Sequence, residues 1–209
     1  MKNRIIYLEA AEKLTGLMLE LPILVDSYAA NEAGFVPGYL KWLSVAESCL
    51  KDLQKAECSS LAAIRAEVIA IDRGCHEVVE GNGGRKRGDS RKQRRNHAAR
   101  TIPRANAVLE QVIAPLQDRL DGARELAGQL ITLAYQAGMV QKMNGLSGNH
   151  SDKLTLLANS LSAYEGTQTG MVQLRMLVSH VDVLVLLDQA IGYANGGQRP
   201  AQSTRSAPQ

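Results

Sequence analysis

The chain has 209 residues and a formal net charge of +3, and 45% of its residues are hydrophobic although only 4% are aromatic. A chain of this length can bury a core without disulfides or metal staples. An interior built from aliphatic side chains favours packing of helix on helix. The cysteine spacings match neither a zinc site nor a redox pair, so we expect reduced thiols, no structural metal and no cofactor. The cysteines are Cys49, Cys58 and Cys75, the last of them beside His76.

No opening segment combines a charged start with an apolar run and a small-residue cleavage site, because Glu9, Glu12, Lys13 and Glu20 interrupt the first stretch. We therefore expect no signal peptide. The most apolar run, from Met176 to Leu187, contains Ser179, His180 and Asp182. It is shorter than the roughly 20 residues that a membrane span needs. We therefore expect a cytoplasmic protein without a membrane partner.

Apolar residues recur at steps of three and four in several stretches, which is the pattern of amphipathic helices. The first begins at Tyr7 and ends by about Ala33, and Pro22 predicts a kink or a restart within it. A second runs from Tyr39 to Ile71, and a third from about Ile102 to Met143 with another proline inside it. These stretches predict three long helices.

The last part of the chain predicts two further helical pieces. Ser151 is the expected N-cap of the first, which Gly166 and Gly170 divide near Thr167. The final piece, from Met171 to Tyr193, is apolar on nearly every face. Such a helix is expected to be central or to be covered by a partner.

These elements predict an all-α fold, an antiparallel bundle of three to four long helices with a basic, flexible loop between helices two and three. We expect one bundle domain over residues 1–195, including a basic loop over residues 75–104. The alternative for residues 90–104 is a backward extension of the third helix when a counter-charge neutralises them. Residues 196–209 lack apolar content and predict a disordered tail.

The most unusual feature is the basic segment, which we define as residues 85–104. It holds nine cations and a single acid, Asp89, whereas the rest of the chain holds 15 cations and 20 acids. The small overall charge therefore hides an acidic body with one basic stretch. Its cations are Arg85, Lys86, Arg87, Arg91, Lys92, Arg94, Arg95, Arg100 and Arg104.

Phosphate is an expected counter-charge for this segment, because arginine forks bind it and clustered cations gain affinity by releasing counterions. No aromatic residue lies between Trp42 and Tyr135 in the sequence, so we expect contacts to the nucleic-acid backbone rather than base stacking. The alternatives are docking to an acidic protein, pairing with the chain's own acidic helices, or no specific role.

Arg175 and His180 are separated by four residues, a spacing that resembles the Arg-x4-His element of HEPN-type helical ribonucleases. The resemblance implies RNA cleavage by this pair. Met176 stands where that family has a small polar residue, and an ideal helix places the two side chains about 140° apart, so a shared site needs a kink or a dimer partner. The alternative is a partly buried, hydrogen-bonded His180. Asp182 and Asp188 are also poorly placed as a metal pair.

The sequence thus favours a non-enzymatic accessory or binding module that contacts nucleic-acid phosphates, DNA or RNA, through the basic segment. One alternative is an assembly or scaffold subunit, such as a homo-oligomer, whose apolar last helix forms the interface. Another is a HEPN-like ribonuclease with Arg175 and His180 as its catalytic residues.

Overall fold

The computed structural model describes residues 6–72, 87–145 and 147–196. Every regular element in these ranges is a helix, so the all-α class is confirmed. The predicted count of three or four helices is not confirmed, because eight lie within the described ranges. They are α1 (Tyr7–Ala29), α2 (Phe35–Asp52), α3 (Cys58–Asp72), α4 (Arg87–Gln136), α5 (Met139–Asn144), α6 (His150–Ala163), α7 (Glu165–Leu177) and α8 (His180–Gly196).

The described residues divide into two compact units. The first is drawn from the chain between Leu8 and Gln117, and the second from Asp118 onwards together with Ile6 and Tyr7. The division falls within α4. The grouping of residues 1–195 into one domain stays a prediction, and of the predicted tail only Gly196 lies within the described residues.

The first unit contains α1, α2, α3 and the first part of α4. Helix α1 continues through Pro22 without the predicted restart. The predicted second helix is two helices, because the chain turns after Asp52 with Gln54 in the left-handed region at φ 54°. The amide of Gln54 donates to the carbonyl of Lys51, and that of Lys55 donates to Leu50. These are the two bonds of a Schellman motif, which ends α2.

A row of aromatic side chains on α1 and α2 holds α4 in this unit. The rings of Phe35, Tyr39 and Trp42 follow one another at centroid distances of 6.2 and 6.0 Å. The hydroxyl of Thr101 donates to the carbonyl of Ala98, so the Tyr39 hydroxyl, 3.0 Å away, donates to Thr101. Burial raises the pKa of Tyr39 to about 12. The phenol therefore stays protonated at neutral pH and fixes one turn of α4.

The prediction of a loop over residues 75–104 is wrong for its second half, because α4 begins at Arg87. Residues 75–86 lie outside the described residues. The helix continues backwards from the predicted start at Ile102 because side chains of its first turns bond to α1 and α3, as described below. Pro103 and Pro115 both lie inside α4.

The second unit contains the rest of α4 and α5 to α8. Helix α6 packs against α5, α7 and α8. Its N-cap is Asn149 rather than the predicted Ser151, and the Asn149 side chain accepts a bond of 2.8 Å from the amide of Asp152. The predicted final helix from Met171 to Tyr193 is broken at Val178, which is extended and ends α7.

A capping box starts α8. The hydroxyl of Ser179 accepts from the amide of Asp182, and the carboxylate of Asp182 accepts in return from the Ser179 amide at 3.1 Å and hydroxyl at 2.7 Å. The same carboxylate accepts from the amide of Tyr7 at 3.0 Å, and Asp182 is fully buried. Arg119 lies over the Tyr7 ring and donates to the carbonyls of Met176 and Leu177. One buried carboxylate and one arginine thus hold the start of α1, the end of α7 and the start of α8.

Among the described residues, no helix combines the length and the apolar character that crossing a bilayer requires.

Candidate nucleic-acid interface

The first turns of α4 carry the part of the basic segment that the structure describes. Arg85 and Lys86 lie outside the described residues, and so does the side chain of Arg87. Six cations have described side chains, and they differ in what they contact. They are Arg91, Lys92, Arg94, Arg95, Arg100 and Arg104.

Arg95 is bound to the body of the first unit. Its guanidinium donates to the Asn31 side chain and to the carbonyl of Tyr28, both at 2.6 Å, and lies 5.5 Å from the centre of the Tyr28 ring. Asn31 has a positive φ of 59°, the left-handed position that closes α1. Arg95 therefore ties α4 to the end of α1, and we no longer count it among the cations that can meet phosphate.

Arg94 and Arg104 form ion pairs with acids of α3. Arg94 Nη1 lies 3.8 Å from Asp72 Oδ1, and Arg104 Nη1 lies 2.8 Å from Glu67 Oε2. Both arginine side chains are more than a third exposed, and ion pairs of this kind contribute about 0 to 1 kcal/mol. Two cations of the basic segment are therefore paired with the chain's own acids, and both remain accessible to solvent.

Glu67 is shared between two partners. Its carboxylate accepts from Arg104 at 2.8 Å and lies 2.7 Å from His97 Nε2. The hydrogen bond from Arg104 lowers the pKa of Glu67, burial opposes this, and the His97 bond adds to the lowering. A carboxylate with a lowered pKa in the folded state stabilises the fold above its unfolded pKa, and this contribution is lost as the pH falls through the lowered value.

Arg91, Lys92 and Arg100 are exposed. Within the part of the chain that the structure describes, none of the three makes a hydrogen bond or an ion pair. Arg91 and Arg100 are nine residues apart, which is about 14 Å along a helix and about 180° around it, so they lie on opposite sides of α4. Lys92 lies between them around the axis. The three cations therefore flank the first turns of α4 over a length that several backbone phosphates of a duplex would span.

The two residues of the ribonuclease-like element lie on different helices. Arg175 is in the last turn of α7, and His180 is the first residue of α8, so the break that a shared site would need is present. Both side chains are exposed, and neither makes a hydrogen bond or an ion pair with another described residue. The partly buried, hydrogen-bonded His180 of the alternative prediction is wrong. No contact within the described chain joins the pair into a catalytic site.

The two aspartates of α8 have separate structural partners. Asp182 belongs to the capping box, whereas Asp188 lies at the surface, 2.8 Å from His150. No group of three or more histidine, cysteine or acidic residues within the described ranges is arranged to hold a metal ion. Cys75 and His76 lie outside those ranges.

A groove of about 340 Å³ lies between α4 and α8 in the second unit. Its walls are mainly apolar, with Gly128 and Ile131 on α4 and Leu186 and Ala190 on α8. The charged residue of the lining, Arg124, is paired with Asp121 at 2.6 Å. The groove therefore offers shape and apolar surface but no group of titratable side chains for catalysis.

Comparison with known proteins does not add a family to this description. No protein-family model matches the chain, and no curated protein or solved structure matches it either.

Proposed function

We propose that the chain is a non-enzymatic binding module that contacts nucleic-acid phosphates through the basic segment on α4. The observation that carries the proposal is the exposure of Arg91, Lys92 and Arg100 without partners among the described residues. Outside the basic segment the chain has more acids than cations. Phosphate is therefore attracted to the exposed sides of the first turns of α4 rather than to the whole chain.

Arg94 and Arg104 extend this surface, because each is exposed beside a single acid of α3. The surface we infer therefore contains five described cations and excludes Arg95. Among the described cations of the segment, Arg95 lies against an aromatic ring, that of Tyr28, so this ring is not offered to a base. Binding is consequently to the backbone, with little preference among sequences.

Replacing Arg91, Lys92 and Arg100 together with glutamine is expected to weaken binding of a 20-base-pair duplex by at least about tenfold. The loss should be similar for unrelated sequences, because phosphates carry no sequence information. Fluorescence anisotropy at 50 mM salt measures it. Circular dichroism should be unchanged, since the three side chains are exposed and none makes a hydrogen bond or an ion pair with another described residue.

A matched control removes the same charge from another face of the first unit. Lys41, Lys51 and Lys55 are exposed, and their replacement with glutamine should leave duplex affinity within about twofold of the wild type. Equal losses of duplex affinity in the two variants would mean that the effect arises from net charge alone. Unchanged affinity in the α4 variant would refute the proposed surface and favour the acidic protein partner.

A second candidate function is self-assembly, and a specific observation favours it. The second unit exposes apolar side chains at helical spacing, Val172 and Met176 on α7 and Val181 and Val185 on α8, each at least 41% exposed. These positions do not fit a wholly central last helix, and the other expectation, a helix covered by a partner, stays a prediction. The opposite face of α8, with Val183 and Leu186, is buried.

Light scattering of the native protein and of a Val181→Lys and Val185→Lys variant tests this candidate. Assembly through α8 predicts an oligomer that becomes a monomer in the variant. Val183 and Leu186 are unsuitable for the experiment, because lysine at a buried position would unfold the unit rather than report association. A wild type that is monomeric at high concentration would exclude self-assembly.

A further inference from the structure

Two arginines and a histidine line one face of α4 around Glu67. His97, Arg100 and Arg104 are at positions i, i+3 and i+7, which lie on the same side of a helix within about 11 Å of its length. Glu67, from α3, bonds the first and the last of them at 2.7 and 2.8 Å. Arg100 lies between these two in the sequence and makes no hydrogen bond or ion pair with another described residue.

We propose that His97, Arg100 and Arg104 form a binding site for one phosphate group, and that Glu67 is the carboxylate which this phosphate displaces. The inference rests on the proposed function, since a duplex phosphate is the expected ligand. It deepens that function by identifying one contact point and a group that competes for it.

The cluster is open to a ligand. The side chains of His97 and Glu67 are 31% and 34% exposed, and that of Arg104 is 59% exposed. An ion pair at such exposure contributes about 0 to 1 kcal/mol, so its exchange for another anion has a small cost. Phosphate offers more acceptor oxygens than a carboxylate and can also engage Arg100, which Glu67 leaves without a described partner.

Glu67 stays ionised, because the hydrogen bond from Arg104 lowers its pKa. Displacement therefore exchanges one anion for another beside Arg104. His97 Nε2 lies 2.7 Å from the Glu67 carboxylate, and this ring nitrogen is the atom that a phosphate oxygen would contact once the carboxylate has moved.

His97→Ala is therefore expected to weaken duplex binding about threefold. The matched control is His150→Ala. His150 lies 2.8 Å from Asp188 in an equivalent histidine–carboxylate pair in the second unit. That variant should keep the wild-type affinity, and equal behaviour of the two histidine variants would overturn the site.

Removing the competing carboxylate should have the opposite effect. Glu67→Gln is expected to raise duplex affinity about threefold at pH 8. The control is Glu47→Gln, because Glu47 pairs with Arg65 at 2.8 Å and its loss changes the net charge equally. Unchanged affinity in the Glu67 variant, or an equal rise in both, would contradict displacement. Thermal unfolding of each variant verifies that the fold is retained.

Inorganic phosphate separates this inference from the proposed function. Titration with phosphate at constant ionic strength should shift the His97 ring resonances in NMR spectra, whereas chloride should not. No shift would overturn the site even if a duplex binds. A shift without any duplex binding would support the site and refute the nucleic-acid function.

Discussion

Replacing Asp182 with alanine is expected to lower the free energy of unfolding by about 2 to 4 kcal/mol, although the residue lies far from the proposed binding surface in the sequence. Its carboxylate is fully buried and accepts from two backbone amides and one hydroxyl, those of Tyr7 and Ser179. Alanine would leave these donors without an acceptor inside the unit. It would also remove half of the capping box that starts α8.

Urea denaturation of wild type and variant measures this loss. The matched control is Asp188→Ala on the same helix, because Asp188 is a surface carboxylate whose partner among the described residues is His150. That change should cost no more than about 1 kcal/mol. Similar losses in both variants would contradict the structural role assigned to Asp182.

The all-helical class follows from the apolar periodicity, and most of the predicted core positions are buried. Leu14, Leu43, Ile64 and Leu109 are examples, each with at most 3% exposure. Leu133 fits the same periodicity but is 41% exposed. Periodicity identifies the side of a helix that can pack, whereas burial also requires a neighbour at that position, which the pattern does not contain.

Helix ends were the weaker part of the prediction because their signals here are indirect. Asn31 and Gln54 adopt left-handed conformations where glycine is the usual residue, so the ends of α1 and α2 lack their strongest marker. The Ser179 and Asp182 capping box was visible as a serine followed three residues later by an acid. This motif marks the start of α8 and therefore the point at which the last predicted helix divides.

Local sequence gives only a weak signal for the helical start of the basic segment. Glycines precede it and like charges repel within it, and both features disfavour a helix. Its stabilising partners come from elsewhere in the chain, with Tyr28 lying 67 residues from Arg95 and Glu67 lying 30 residues from His97. The sequence shows which cations form the segment, but only the contacts distinguish the bound Arg95 from the exposed Arg91 and Arg100.

The second large effect is the loss of duplex affinity with salt. Each phosphate neutralised contributes about −0.9 to the slope of log affinity against log salt concentration. Three to five contacts from the described cations give a slope of about −2.7 to −4.5, which is a loss of about 40- to 500-fold between 50 and 200 mM salt. Single strands should gain no additional affinity, because the described surface has no exposed aromatic platform among its cations.

The salt slope of duplex affinity in wild type and in the Arg91, Lys92 and Arg100 glutamine variant tests the proposed phosphate surface most directly. We expect a wild-type slope of about −2.7 or steeper, and a slope about 2 to 3 flatter in the variant. The Lys41, Lys51 and Lys55 control should keep the wild-type slope. A wild-type slope near zero, or equal slopes in wild type and the α4 variant, would contradict binding through the basic segment.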